Sequence, residues 1–478
     1  MVRQSSDTET TSVRFHPPPE NGQPATDMNM PPLVLVNPWI YDFAAFDLWS
    51  KPLGLLYIAS HLRQAGFKIH LIDCLNSQTA GTADSPPGRA PVRRPYGTGK
   101  FSRNKTARPL PLKDIPRAYS RYGISLQSYV QAIEKIAEPA ALLTTSLMTY
   151  WYPGVQEVIR IFKEIHPGVP VILGGIYAML CPEHARRNSG ADNVIAETGI
   201  DAVRVVSDVL RGHGHVAEPV SKSCKWNPYP AFDLLRGVQY IPILTSTGCP
   251  YRCAYCASSY LYPGMERREP MDVLHEILFW RKRHGIRDFA FYDDALLMGA
   301  ELHAGIFLEE VARRDLGLRF HTPNALHVRE IHPQIAELLF RAGFRTIRLG
   351  LETSDPVLHR KMGNKVSGGE FERAVASLRS AGFQKSDIGA YVLMGLPGQS
   401  AESVKETILF LDRIGAVPYL AEYSPMPHTA LWEEAMAASE YDLASEPLFH
   451  NNSLLPCWDD RRKAKVPELR DLVRRIRR

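Results

Sequence analysis

Short apolar runs, each closed by turn residues and followed by a helix-length segment, recur along most of this chain. That alternation restricts it to parallel-sheet α/β architecture. The first run is Leu33-Val34-Leu35-Val36, stopped by Asn37-Pro38. A helical pattern over 53–66 ends at Gly66, and a second run covers 68–73. After an interruption the pattern resumes with helix 125–137, strand 141–146, helix 152–166, strand 169–173 ending in Gly174-Gly175, strand 193–196 and helix 201–211. This order predicts a doubly wound, Rossmann-like parallel sheet with ligands at the carboxyl ends of its strands. Those ends are Asn37, Asp73, Ser146 and Gly174. A second series of six strand–helix units has strands at 242–247, 288–292, 319–322, 346–351, 388–394 and 418–423. Six units in place of eight predict a partial (β/α)6 barrel, again with its working residues at the carboxyl ends.

The chain therefore divides into a disordered tail over 1–31, the doubly wound domain over 32–212, a proline-containing linker over 213–240, the barrel over 241–430 and a helical extension over 431–478. The interruption at about 76–122 is rich in Pro, Gly and Arg, lacks an apolar period, and reads as an insertion running over the surface. With 478 residues, 45% of them hydrophobic, the chain is long and apolar enough to fill two such cores. No run reaches membrane-spanning length, and 1–31 has no apolar signal core. The net charge of +5 is concentrated in 89–121 and 470–478, which read as solvated loops and helix faces. No regular aromatic-interleaved platform for single strands accompanies that charge, so nucleic acid is not an expected partner.

The chemistry is concentrated in Thr247-Gly248-Cys249-Pro250-Tyr251-Arg252-Cys253-Ala254-Tyr255-Cys256. Three thiols at Cys-x3-Cys-x2-Cys spacing, directly after the first barrel strand, suit an iron–sulfur cluster, because thiolates are its natural ligands. A [4Fe-4S] cubane held by three cysteines keeps one iron open. Zinc would need a fourth close ligand, and the nearest downstream histidines, His275 and His284, lack finger-like spacing. Cys74, Cys181 and Cys224 are far apart and read as buried or incidental thiols. Seven cysteines used in this way fit a reducing cytoplasm rather than a disulfide scaffold.

The cysteine motif resembles that of the radical S-adenosylmethionine (SAM) enzymes. The resemblance implies a [4Fe-4S] cluster on Cys249, Cys253 and Cys256, with SAM chelated to the open iron. It also implies reductive cleavage of SAM to a 5′-deoxyadenosyl radical, with electrons from a donor such as flavodoxin or ferredoxin. SAM contacts are implied at Tyr255, at Asp293 and Asp294 in Phe291-Tyr292-Asp293-Asp294, at Glu352 in Gly350-Leu351-Glu352-Thr353, and at Gly395 in Gly395-Leu396-Pro397-Gly398. Each has a plainer reading: Tyr255 packs on the cluster, Asp294 caps a turn, Glu352 pairs with Arg348, and Gly395 forms a tight turn. In Ser424-Pro425-Met426-Pro427-His428-Thr429, His428 stands where many relatives have glycine. It is a candidate substrate contact or acid/base group, and equally an exposed loop residue. His321 and Asn324 are candidates of the same kind.

The pairing of the two domains resembles the cobalamin-binding radical SAM enzymes. The residues behind this are Lys51-Pro52-Leu53-Gly54-Leu55-Leu56, Leu71-Ile72-Asp73, Ser146-Leu147-Met148-Thr149-Tyr150-Trp151 and Leu173-Gly174-Gly175-Ile176-Tyr177. The resemblance covers about 33–430 and places cobalamin against Ser146, Gly174 and Gly175. Two departures stand out. No Asp-x-His-x-x-Gly occurs and 38–52 contains no histidine, which predicts a base-off corrin with no protein histidine on cobalt. Ala196-Glu197-Thr198-Gly199 stands where relatives often have a turn rich in glycine and glutamate. The implied reaction is methyl transfer to an unactivated carbon of a small-molecule or natural-product substrate, through a 5′-deoxyadenosyl radical and methylcobalamin. Three alternatives stay open: a radical SAM enzyme without functional cobalamin catalysing a rearrangement or cyclisation, a tRNA thiomethylating enzyme (which needs a second cluster), and a non-catalytic cofactor-binding partner protein.

Overall fold

The computed structural model describes residues 30–76, 91–215, 226, 228–363 and 365–477. The tail to residue 29, residues 77–90 of the insertion and residues 216–225 of the linker, Cys224 among them, lie outside the described residues.

Strand Leu33–Asn37 is buried along its whole length. Leu33 and Leu35 pack with Leu55, Leu62 and Leu210, whereas Val34 and Val36 pack with Ile133, Val158 and Phe162. Alternate residues of a strand face opposite sides, so an unbroken apolar run needs helices on both faces. Helices Leu53–Gln64 and Gly199–Gly212 cover one face; Leu126–Glu134 and Tyr152–Ile165 cover the other. The sheet is wholly parallel, in the order Asn193–Val194, Val171–Gly175, Ala141–Ser146, Leu33–Asn37, Ile69–Asp73. This is the flavodoxin-like order, whose ligand crevice opens between the first and third strands. Here that crevice lies between the ends Asn37 and Ser146.

The interruption near 76–122 is more structured than its sequence suggests. Arg103–Thr106 and Tyr119–Tyr122 pair antiparallel with each other, Tyr119–Tyr122 also pairs with Ile40–Asp42, and Gly99–Lys100 pairs with Phe46–Asp47. These strands are two to four residues long, and Arg103–Thr106 is exposed throughout, so no apolar period marks them. Several arginines of the segment turn inward. Arg93 pairs with Asp47 at 2.8 Å, Arg117 donates to the Ser453 carbonyl, and Arg121 lies over the Trp39 ring.

The second sheet holds six parallel strands in chain order: Ile241–Ile243, Asp288–Phe291, Arg319–His321, Phe344–Glu352, Ile388–Met394 and Val417–Glu422. Helices Pro270–His284, Ala304–Arg314, Pro333–Ala342, Gly368–Ser380 and Ala401–Arg413 follow the first five. The sixth helix, Val466–Ile476, comes from the C-terminal extension and packs on the last strand and on Ala401–Arg413. The first strand is shorter than 242–247. It stops at Ile243, and Ser246–Thr247 instead pairs antiparallel with Glu266–Arg267.

The two sheets are joined through a shared core. Leu53 and Leu56 of the first helix pack in the barrel core with Tyr229, Phe232 and Trp280. On the same helix Ser60 donates to the Tyr229 carbonyl at 2.6 Å and Arg63 pairs with Asp233 at 3.0 Å. Among the described residues no helix is long and apolar enough to cross a membrane.

Candidate active site

The cysteine loop begins where Asp293 ends the first barrel strand. Asp293 is 3% exposed. Its carboxylate accepts from the Thr245 amide at 3.1 Å, the Thr245 hydroxyl at 2.6 Å and the Ser246 hydroxyl at 2.7 Å. Burial raises its pKa, and these hydrogen bonds oppose the rise. At Asp293, where the resemblance implies a contact with a cationic amine, the loop already supplies these three donors. Asp294 accepts from the Ser258 hydroxyl at 2.5 Å, and Ser258 opens the short helix after Cys256. The two aspartates thus fasten both ends of the cysteine loop. Asp293→Ala is expected to lower the unfolding free energy by about 1–3 kcal/mol, the cost of leaving buried donors unpaired. Urea denaturation checks the stability, and iron content checks the loop.

Gly248 has φ +78, and a Cβ there would stand 1.8 Å from the Gly264 carbonyl oxygen, so only glycine allows this turn. Cys249 and Cys253 are half-buried, Cys256 is exposed, and all three are free thiols. The loop is pinned on two sides. The Ala254 amide donates to Met362 at 3.3 Å, and the Leu431 amide donates to Ala254 at 2.9 Å. Burial pushes the Cys249 and Cys253 thiols up, and coordination to a metal deprotonates such thiols outright. Among the described residues no group of three or more His, Cys, Asp or Glu side chains is arranged around a single ion. A cluster spreads its thiolates over separate irons and needs no such convergence. Three unpaired thiols on one pinned loop fit that group.

Glu352 closes the fourth strand with φ +69, just after a register shift between Gly350 and Glu352. Such a conformation in a non-glycine residue stores about 1–3 kcal/mol of strain and aims the side chain. The carboxylate is 8% exposed and accepts from the Tyr255 hydroxyl at 2.7 Å. Burial raises the Glu352 pKa, while Lys365 and the Tyr255 hydroxyl oppose the rise. Burial and the neighbouring Glu352 raise the Tyr255 phenol. Arg348 is not the partner of Glu352; its guanidinium lies 4.0 Å from the Tyr419 ring centre and donates to Ile347. Lys365 is the cation here: its Nζ and Glu352 Oε1 lie 3.1 and 2.9 Å from the point where a Gly350 Cβ would stand. His327 completes this side. It is 2% exposed, its Nε2 is 3.6 Å from Cys249 Sγ, and its ring stacks on Tyr251 at 4.7 Å. Burial lowers its pKa to about 3.

Two further candidates already have partners within the protein. Gly395 is buried, its amide donates to Gln399 Oε1 at 2.9 Å, and Leu455 of the extension fills the space beside it, 2.8 Å from where a Cβ would stand. It packs against protein and does not offer an open backbone face. His321 is 0% exposed, with Nε2 3.0 Å from Asp288, Nδ1 2.8 Å from the Thr346 hydroxyl and its ring stacked on Trp49. It is a satisfied core histidine. Asn324 donates to the Tyr292 carbonyl at 2.8 Å and so orders the loop carrying Asp293. His428 is exposed with φ +66, the backbone glycine adopts most readily, and stacks flat on Tyr260 at 4.0 Å.

In the flavodoxin-like sheet, Ser146 donates to the Met148 carbonyl at 2.7 Å, so its hydroxyl turns onto its own loop. Gly174 leaves a slot: the nearest atom to a Cβ there is the Ile195 oxygen, 4.0 Å away. Gly175 has φ +86, and a Cβ there would clash with Thr145 Oγ1 at 2.2 Å. The loop after Ser146 is braced by the extension, through Thr149 to His450 and through Asp42, which joins Trp151 and Asn451. Reasoning from sequence missed Lys365, His327, Gln399, Thr245 and Ser246. Only Gln399, directly after the Gly395-Leu396-Pro397-Gly398 turn, carried a local signal.

Residues 243–411, which contain the three cysteines, Asp294 and Glu352, match the family model described as the radical SAM superfamily. The chain carries a radical SAM domain over those residues. Its relatives include an uncharacterised methyltransferase of Pyrococcus horikoshii, 26% identical over 62% of this chain and 68% of that protein. A bacteriochlorophyllide d C-12(1)-methyltransferase of Chlorobaculum tepidum is 30% identical over 41% of this chain and 42% of its own length. The radical SAM methyltransferase TsrM of Kitasatospora setae, solved with tryptophan substrate and a SAM analogue, has the same fold. It aligns with a TM-score of 0.61 at 16% identity, over 92% of this chain and 88% of that one. The likeness extends across the flavodoxin-like sheet, the radical SAM barrel and the extension.

Proposed function

We propose that this radical SAM enzyme is a cobalamin-dependent methyltransferase acting on an unactivated carbon of a small molecule. The observation that carries the reading is the joining of two sites: a pinned three-thiol loop beside the buried Glu352–Tyr255 pair, and a flavodoxin-like sheet fused to the same core. TsrM, which shares this arrangement, has also been solved with cobalamin and a [4Fe-4S] cluster bound. Once bound, the cluster with SAM supplies a 5′-deoxyadenosyl radical, and cobalamin supplies the methyl group. Cys249, Cys253 and Cys256 hold the cluster. The carboxylates of Asp294 and Glu352 orient the cationic and hydroxyl groups of SAM, Lys365 balances the charge of Glu352, and Tyr255 flanks the adenine. Gly174 and Gly175, with Ser146 at the neighbouring strand end, line the slot for the corrin. The loop 38–52 brings Trp49 onto His321 and contains no histidine, so cobalt takes no histidine from it. A donor such as flavodoxin or ferredoxin supplies electrons, and the free cysteines suit the reducing cytoplasm.

Anaerobic production with cobalamin present, followed by cluster reconstitution, tests the reading. About four irons and about one base-off corrin per chain are expected, together with 5′-deoxyadenosine when SAM and a reductant are added. A full cluster with no corrin would exclude methyl transfer from cobalamin and leave a rearrangement or cyclisation. Neither cluster nor 5′-deoxyadenosine would leave a non-catalytic protein.

A further inference from the structure

His327 has no place in the reading above, yet its imidazole approaches a cluster thiol from outside the cysteine loop. It lies 78 positions from Cys249, on the segment after the third strand, directly before the turn Val328–Glu330. Its ring is 2% exposed and is clamped face to face by Tyr251, which sits between the first two cysteines. The stack fixes the ring plane, and within that plane Nε2 points at Cys249 Sγ over 3.6 Å. A thiolate offers only lone pairs, so the nitrogen facing it must carry the proton. Nδ1 is then a bare acceptor.

We propose that His327 donates a hydrogen bond from Nε2–H to the Cys249 thiolate and thereby raises the reduction potential of the cluster. Hydrogen bonds to the sulfurs are among the factors that set iron–sulfur potentials. Reduction adds negative charge that is shared with the thiolates. A donor aimed at one of them stabilises the reduced form more than the oxidised form, and a buried site strengthens the effect. The electron that cleaves SAM then comes within reach of a milder donor. His327 is a positioning residue here: it touches a ligand of the cluster, not the substrate.

The inference rests on Cys249 being a cluster ligand, and the test separates the two. Reconstituted wild-type, His327→Phe and His327→Gln proteins are poised at one fixed potential, and the reduced fraction is read by EPR beside iron content. Phenylalanine keeps the stack on Tyr251 and removes the donor. Its ratio of reduced to oxidised cluster is expected to fall about tenfold, equivalent to about 59 mV for a one-electron couple. Glutamine places an amide N–H near the lost Nε2–H, and its ratio should stay within about twofold of wild type. Equal ratios in all three proteins, each with about four irons, overturn the role of His327 and leave the cluster standing. No iron in the wild type overturns the cluster reading itself. If the phenylalanine variant takes up no iron, wild-type protein with 15N-labelled histidine decides by pulsed EPR. Weak nitrogen coupling with an exchangeable deuteron supports the hydrogen bond; strong coupling, meaning imidazole on iron, or none overturns it.

Discussion

Cys253→Ala is expected to give a folded protein that neither keeps a [4Fe-4S] cluster nor forms 5′-deoxyadenosine from SAM. The fold should survive because the loop is not held by its thiols. The Ala254 amide still reaches Met362, the Ala254 carbonyl still receives Leu431, and Asp293 still gathers Thr245 and Ser246. Removing one sulfur also changes little volume at a half-buried position. The cubane, however, already depends on three protein thiolates. With two, another iron is left without a protein ligand, and the cluster has no anchor against loss to solvent. Iron analysis, the visible spectrum and product assay on the anaerobically reconstituted variant check this. Unchanged circular dichroism is the control for folding. Retained SAM cleavage at the wild-type rate would mean that the three thiols do not hold the cluster. A single zinc per chain, lost on substitution, would instead point to a structural metal.

The parts of this molecule legible in the sequence are those set by local pattern. Leu33 to Val36 announce a buried strand because every one of them is apolar, and the two faces of the sheet claim them alternately. The six barrel strands are legible for the same reason. The exception is the first, whose end depends on Asp293, some 48 positions downstream, drawing Thr245 and Ser246 out of line. No window around 241–247 contains that information. Lys365 and His327 were invisible because they approach the cysteines from the fourth and third units, through barrel topology rather than spacing. The resemblance drew attention to the turn at Gly395, but the use of its amide depends on Gln399 and its covering on Leu455. The last helix is different: its signal was present. Val466, Leu469 and Val473 recur at helical spacing and are buried, while the intervening charges face outward. Its tertiary role, the missing sixth helix of the barrel, could not be read without the sheet it covers.

Arg268→Met is expected to destabilise the protein by about 3–5 kcal/mol, because it strands the partner of a buried ion pair. Arg268 and Glu276 meet at 2.5 Å with both side chains 1% exposed. Burial opposes the arginine's charge, and Glu276 with the neighbouring Tyr57 and Tyr229 more than offsets it, so Arg268 stays protonated. Without it, Glu276 keeps, among the described residues, only the Trp280 indole at 3.3 Å. The double variant Arg268→Met, Glu276→Leu removes both charges, and replacing a buried pair by apolar residues is often neutral or stabilising. It should therefore recover most of the loss, and a double-mutant cycle by guanidinium denaturation measures the coupling. Additive losses would mean that the two residues do not act as a unit. Recovery should be incomplete at the active site for a separate reason. Arg268 also donates to the Leu244 carbonyl at 2.9 Å, and Leu244 immediately precedes the Thr245 that Asp293 holds. The double variant lacks that donor as much as the single one does. Stability and cluster retention should then part company: the double variant regains its unfolding free energy, while its iron content stays below wild type. If both return together, Arg268 supports the cysteine loop only through global stability, and the hydrogen bond to Leu244 does not shape the site.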